Sequence, residues 1–373
     1  MYTEIVKIIE GGLSGDKEKV LNYSKVLADN LDKDGEPALA KRIRNMLSNK
    51  KSRIASLDSF ATKPVDIESR MDIVEITYPQ ITDDQLILSK YTDREINDFV
   101  TCYKKRDEIL KLGAEVSNSL LLYGPPGCGK TTVAQYVSSI TGLPLVTARL
   151  DGLISSLLGS TAKNIRRVFD YASQRECVLF LDEFDVIAKL RDDQHELGEL
   201  KRVVNSLIQN IDSLNKDNLL IAATNHHELL DLAIWRRFSK VIILQKPDQY
   251  EIKRLLKLFL LNIPNTIVES DKKLELIAKA LQDCSHSDIK TVINNCAKKS
   301  VVNNRKEVHS YDLFQEIYFH KNHNINDEDY FIKYLLLNGV THKEINENFG
   351  YPLRAIQRLS KGGLRNGQRK AAN

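Results

Sequence analysis

Nine consecutive residues constrain this chain more than any others: Gly124-Pro125-Pro126-Gly127-Cys128-Gly129-Lys130-Thr131-Thr132. They sit between Leu120–Tyr123, an apolar run of strand length, and Val133, Tyr136, Val137 and Ile140, which recur at helical spacing. The glycines therefore fall at a strand-to-helix turn. There they let the backbone curl until several N–H groups converge, and the helix start adds its positive end. Lys130 adds a compact cation. The context predicts a βα unit whose turn is shaped for oxyanions, and with it an α/β domain.

The surrounding sequence repeats that unit. Leu145–Ala148, Val178–Leu181, Leu219–Thr224 and Val241–Leu244 are short apolar runs bounded by Gly, Asp or Asn, separated by helical patterns. Runs that stay apolar instead of alternating read as strands buried on both faces, which is the habit of a parallel sheet. Around Met71–Tyr78 apolar and polar residues do alternate, predicting one further strand. From Asp248 to about Phe319 every strong period is helical. Residues 1–50 read as a small helical unit, with Ile5, Ile8 and Ile9 in a first helix. A second helix spans Asp16–Leu31, and a third follows the Asp34–Gly35 turn with Leu39, Ile43 and Met46. The resulting division is a helical N-terminal unit (1–50), a linker with a possible strand (51–90), and an α/β core (91–247). A helical domain (248–319), a small helical module (327–362) and a basic tail (363–373) complete it.

Three further segments carry chemistry. Val178–Leu181 runs into Asp182-Glu183-Phe184-Asp185, placing carboxylates at the C-terminal edge of a buried strand, where ligands bind in open α/β sheets. An Asp-Glu pair after a strand also caps helices. Here it follows the glycine loop by an interval ordinary for a nucleotide fold, so the pair reads as chemical. Asp182 suits a Mg²⁺ shell together with the Thr131 hydroxyl, and Glu183 suits activation of an attacking water. Lys130 then faces the β- and γ-phosphates of a nucleoside triphosphate. A third strand, Ile221–Thr224, ends at Asn225, whose amide is placed to help align that water. Last, Arg236-Arg237-Phe238 follows Leu230–Trp235. Adjacent arginines are often only solvated charges, but here they are candidates for fingers reaching a neighbour's γ-phosphate.

In this order and spacing, the four elements resemble the AAA family of AAA+ ATPases, above all its katanin- and spastin-like members with their compact R-R-F arginine motif. The resemblance covers roughly residues 91–319. It includes Ser285-His286-Ser287-Asp288-Ile289, which is similar to the S-G-x-D-I motif of the family's helical lid. It implies ATP with Mg²⁺, catalytic Glu183, Asn225, Arg236 and Arg237, a homo-hexameric ring, and a protein substrate drawn through a central pore. Leu157-Leu158-Gly159 falls on the pore-loop segment, with Leu157 where the family usually has an aromatic. His286 replaces the lid glycine near the adenine and reads as filling that site. The lid motif carries no obvious sensor arginine, in keeping with this family.

Outside that region, Thr341-His342-Lys343-Glu344 is a capping box opening a helix with Ile345 and Phe349. Gly350 turns the chain into Pro352–Leu359, a pattern resembling a helix-turn-helix, with Arg354, Gln357, Arg358 and Lys361 on the open face of its second helix. Arginine and glutamine suit base edges and a basic tail suits phosphates, so DNA is a candidate partner. A protein-docking knob with a solvated tail is the plainer reading. Asn346 stands where that motif usually packs a small alanine. The N-terminal unit is expected to recruit a partner or substrate.

Composition bounds the rest. Over 373 residues, 42% hydrophobic and 28% charged, most of the chain is expected to fold, as several modules. A net charge of +4 makes no case for nucleic acid by itself, but from Tyr351 onward there is no acid at all. The five cysteines have no paired C-x-x-C spacing, which argues against a zinc module or a disulfide framework. With no signal peptide and no apolar run long enough for a bilayer, a cytoplasmic protein without membrane contact is expected. His320 and His323 have no third ligand nearby, and His226-His227 read as loop residues.

Overall fold

A computed structural model describes residues 2–13, 17–33, 40, 44, 64, 72–81, 85–150, 158–186, 197–214, 217–323 and 327–367. Helices α1 (Tyr2–Leu13) and α2 (Lys17–Lys33) pack on each other, tied by Asn30 donating to Glu4 Oε1 at 3.2 Å. Of the third N-terminal helix only Ala40 and Arg44 are described, both helical, with Arg44 paired to Asp29 and Asp32 on α2. The rest of that helix, the Asp34–Gly35 turn and most of the linker lie outside the described residues.

The α/β core follows in chain order: β1 (Glu75–Thr77), α3 (Lys90–Lys104), α4 (Arg106–Lys111), β2 (Ser119–Tyr123), α5 (Lys130–Thr141), β3 (Leu145–Arg149), α6 (Leu158–Ser173), β4 (Val178–Asp182), α7 (Leu197–Ser213), β5 (Leu219–Thr224), α8 (Leu232–Trp235) and β6 (Lys240–Ile243). Among the described residues the sheet has six strands in the order β1-β3-β4-β5-β2-β6. The five strands expected from the apolar runs are parallel neighbours, and β1 adds an antiparallel edge, Ile76 opposite Val146.

Two-sided burial explains the unbroken apolar sequence of β2 to β5, whereas β6, at the sheet edge, buries Ile242 and exposes Val241 and Ile243, against the expectation of burial on both faces. Side chains alternate between the faces of a sheet. Leu120, Leu122, Val178, Phe180, Leu219 and Ile221 join one core, beneath α3 and α5. Leu121, Leu179, Leu181, Leu220 and Ala222 join another, with α6 and α7. A polar side chain on β5, which is buried along its whole length, would meet no water on either side.

The helical remainder comprises α9 (Gln249–Phe259), α10 (Asp271–Ala280), α11 (His286–Val302), α12 (Ser310–Asn322), α13 (Glu328–Leu337), α14 (His342–Phe349) and α15 (Leu353–Gly367). The Asp248/Glu251, Ser285/Asp288 and Thr341/Glu344 pairs close reciprocal capping boxes at the starts of α9, α11 and α14. Gly350 ends α14 at φ 74°, a left-handed turn that suits glycine. Asn346, the departure from a small residue, donates to Tyr351 O at 2.7 Å and so braces that turn. The three C-terminal helices share one hydrophobic core with α9–α12. Phe331 is its centre, with Tyr318, Phe349 and Tyr351 rings 4.8, 5.7 and 6.5 Å from it. The lid and the C-terminal helices are therefore one packed body.

Candidate active site

The register of the sheet brings the sequence-separated segments to one edge. Tyr123 pairs with Thr224, and Leu181 with Ala222, so the C-terminal ends of β4, β5 and β2 finish side by side. Gly124, Asn225 and Glu183, the residues after or at those ends, stand in a row. With strands about 4.8 Å apart, Asn225 on the middle strand lies between the glycine loop and Glu183.

The glycine loop is a cradle only because it lacks side chains. A Cβ on Gly124 would stand 2.1 Å from Leu244 O, and one on Gly127 would stand 2.5 Å from Ser285 Oγ. Gly124, Gly127 and Gly129 hold φ at 142°, 74° and 92°. Helix α5 starts from Gly129 without a side-chain cap, which leaves first-turn N–H donors at Lys130, Thr131 and Thr132 for an anion. Lys130 is buried, its ammonium donating to Gly124 O at 2.7 Å and Pro125 O at 2.9 Å. Burial pulls its pKa below the ordinary lysine value, against the opposing pull of the Asp182 and Asp185 carboxylates. A desolvated cation among anions, next to uncapped amides, fits a polyphosphate with a divalent cation. Cys128 faces the core rather than the loop's open side, and burial pushes its thiol up.

The lid closes over this loop. Ser287 N–H donates to Gly127 O at 3.1 Å, and His286, between Ser285 and Ser287, donates from Nε2 to Ile87 O, 3.2 Å away. His286 also lines a cavity of about 290 Å³ with Leu88, Leu244, Lys246 and Asp248. It is thus part of a cavity wall rather than only a filler, and burial lowers its pKa.

At the carboxylate edge, Glu183 holds φ 55°, unusual for a side-chain-bearing residue. Its N–H donates to Asp182 Oδ1 at 3.0 Å, and Phe184 N–H donates to Ala223 O at 2.9 Å, which lock the turn. Arg149, at the end of β3 and opposite Asp182, lies 3.8 Å from the Glu183 carboxylate. Asp185 is buried and accepts from Thr224 Oγ1 at 3.3 Å and Asn225 N–H at 3.4 Å. Sequence reading assigned neither Arg149 nor Asp185 a role. The available signal was position: both are charged residues just where neighbouring parallel strands end.

The arginines are elsewhere. Ser119 Oγ, at the start of β2, donates to Arg237 O at 3.0 Å, and Ser239 bonds back to Ser119. Ser119 and the glycine loop are at opposite ends of β2, roughly 13 Å apart at about 3.3 Å per residue. Arg237 Nε pairs with Asp212 on the last turn of α7, while Arg236 is exposed. The structure therefore joins Lys130, Asp182, Glu183 and Asn225 in one place and sets Arg236 and Arg237 apart from them.

The remaining expected residues are also placed. Leu157 lies outside the described residues, and Leu158 and Gly159 open α6. Arg354, Gln357, Arg358 and Lys361 are exposed on α15, opposite buried Ile356 and Leu359, and Arg358 pairs with Asp329 at 3.5 Å. His320 pairs with Asp288 at 3.3 Å, and His226 with Glu228 at 3.1 Å.

Residues 120–246 match the family model of the ATPase family associated with various cellular activities, AAA. The AAA family ATPase y4kL of Sinorhizobium fredii is 37% identical over 300 residues, 80% of this chain and 89% of that protein. The chain belongs to the AAA family of ATPases. Proteasome-activating nucleotidase 2 of Haloferax volcanii is 30% identical over 273 residues, covering 70% of this AAA ATPase and 66% of the relative. ATP-dependent zinc metalloprotease FtsH 3 of Symbiobacterium thermophilum is 29% identical over 253 residues, 66% of this chain but 40% of that protein's length. ATP hydrolysis follows from this membership. Among the described residues no helix is long and apolar enough to cross a membrane.

Proposed function

We propose that the protein works as a ring, six protomers in number, that hydrolyses Mg-ATP between adjacent subunits and uses the cycle to remodel a protein substrate. In one protomer the backbone amides of Gly124–Thr132 and the Lys130 ammonium hold the phosphates. Thr131 and Asp182 hold Mg²⁺, partly through water, which offsets phosphate charge. Glu183 takes the proton of an attacking water that Asn225 aligns. Arg236 and Arg237 serve the next protomer's γ-phosphate. The observation that carries this reading is the distance along β2 between the arginines and their own glycine loop, too long for an arginine side chain to span. An arginine so placed acts on a neighbour's nucleotide or on none.

The protein substrate is supported by the names of two relatives, which couple ATP to a metalloprotease and to a proteasome. Recruitment falls to α1 and α2, where Ile5, Val6 and Ile9 are exposed, and the grip to Leu157, Leu158 and Gly159. The test is ATP turnover with and without unfolded polypeptides. Several-fold stimulation is expected, and a flat response across a broad panel would reject remodelling.

A second reading, a DNA-associated ATPase, is favoured by one feature: α15 turns Arg354, Gln357, Arg358 and Lys361 outward in a stretch without acids. Each module alone would bind DNA weakly, with a Kd of about 10⁻⁴–10⁻⁶ M, and several copies on a ring would add avidity. Retention on DNA that falls steeply with salt is expected for the full chain, and its loss when Arg354, Gln357, Arg358 and Lys361 are all replaced by alanine, which leaves the core shared by α9–α15 in place. Equal retention of both proteins, or none at low salt, would dismiss this reading.

A further inference from the structure

We infer that Asp212 is a positioning residue for the finger Arg237, holding the guanidinium by Nε and leaving its terminal amino groups for a neighbouring protomer's phosphate. The inference rests on the shared-site reading above.

The local geometry separates what is fixed from what is offered. Arg237 Nε donates to Asp212 Oδ2 at 3.0 Å, with Oδ1 of the same carboxylate 2.8 Å away. A guanidinium carries five N–H donors, so four remain on its terminal nitrogens. These make no hydrogen bond among the described residues. An oxyanion can therefore take the terminal fork without breaking the Asp212 contact.

Both partners are mounted on rigid supports. Asp212 follows buried Ile211 and sits five residues beyond buried Leu207 on α7. The Arg237 carbonyl accepts from Ser119 Oγ, and Ser239 donates twice to Ser119, at 3.0 and 2.8 Å. Between them Phe238 is buried, its ring 5.7 Å from that of Phe184. The main chain under Arg237 is thus pinned on both sides, and the flexible part left is the arginine side chain. Asp212 restrains it. Arg236 differs: it is exposed and makes no ion pair among the described residues. Of two adjacent arginines, one is held in a set direction.

An exposed pair of this kind is weak in an isolated protomer. Its contribution to rate comes from orientation, because catalysis is sensitive to displacements of a charged group on the ångström scale. Asp212 lies beside Arg237, at the far end of the sheet from its own protomer's glycine loop. Its loss should slow turnover without weakening ATP binding.

The experiment compares Asp212→Asn, Asp212→Glu, Arg237→Ala and the Asp212→Asn/Arg237→Ala double variant in the full chain. It reads kcat, KM and the affinity for a fluorescent ATP analogue. Asp212→Asn is expected to lower kcat about three- to tenfold with analogue affinity unchanged, which also shows that the variant is folded. Asp212→Glu should recover most of that loss, and the double variant should be no slower than Arg237→Ala alone. Wild-type or faster turnover in Asp212→Asn overturns the inference, as does the same fold-loss in the Arg237→Ala background. Normal turnover in Arg237→Ala overturns the shared-site reading itself, and the inference with it.

Discussion

Replacing Arg237 with alanine is expected to lower ATP turnover about 10³-fold or more, with the affinity of the same protomer for ATP unchanged. The size follows from what a finger does. It meets charge that develops on the transferring phosphoryl group, where water is excluded and one cation is worth far more than in solution. The unchanged affinity follows from placement. Arg237 is bonded through its carbonyl to Ser119, at the opposite end of β2 from Gly124, so removing its side chain leaves the cradle's amides and Lys130 untouched. Mixing provides the decisive measurement. Arg237→Ala protomers supply intact cradles, and Lys130→Ala protomers supply intact fingers. Mixed rings should turn over ATP although neither variant does alone. Silence of the mixture, when both variants assemble, would sink the shared site.

Glu183→Gln is expected to bind ATP like the wild type and to turn it over about 10²–10⁴-fold more slowly. The amide keeps the shape of the side chain and loses the proton-accepting oxygen. Binding should survive because the proposed phosphate contacts belong to Gly124–Thr132, in the loop after β2 and the first turn of α5, and not to the end of β4. The fold should survive as well. The left-handed backbone at residue 183 is held by its own N–H on Asp182 and by Phe184 on Ala223, neither of which uses the Glu183 carboxylate. The ion pair to Arg149 would be lost, at little cost between two well-exposed side chains. Single-turnover hydrolysis at wild-type rate in Glu183→Gln would remove Glu183 from the chemistry and direct attention to Asp185.

The two experiments probe opposite ends of the sheet, and their difference is informative. Failure confined to Arg237 would leave a competent single-site ATPase. Failure confined to Glu183 would leave a ring whose water is activated by another group. The asymmetry arises because the cradle, the carboxylates and Asn225 are placed by strand ends, whereas the arginines are placed by the connection that returns to the start of β6.

Much of this was legible in the amino-acid order, for local reasons. A glycine loop between an apolar strand and an apolar helix specifies its own conformation, since its φ values suit few other residues and its amides have no partners in the helix it opens. The unbroken apolar runs at 120, 145, 178 and 219 announced two-sided burial, which the run at 241, on an edge strand, does not have, and the Thr341/Glu344 box forms where its spacing put it. Periodicity is set by the nearest turns and faces, and a sequence displays it directly. What lies between elements far apart in the chain was decided only by tertiary structure. Arg149 meets Glu183 because β3 and β4 are neighbours; Asp212 meets Arg237 because α7 ends where β6 is about to begin. The lid and the C-terminal helices, read separately in the sequence, share one core through Tyr318, Phe331 and Phe349. Such pairings depend on strand order and on which helix face meets which, and these are properties of the packed whole that no local window encodes.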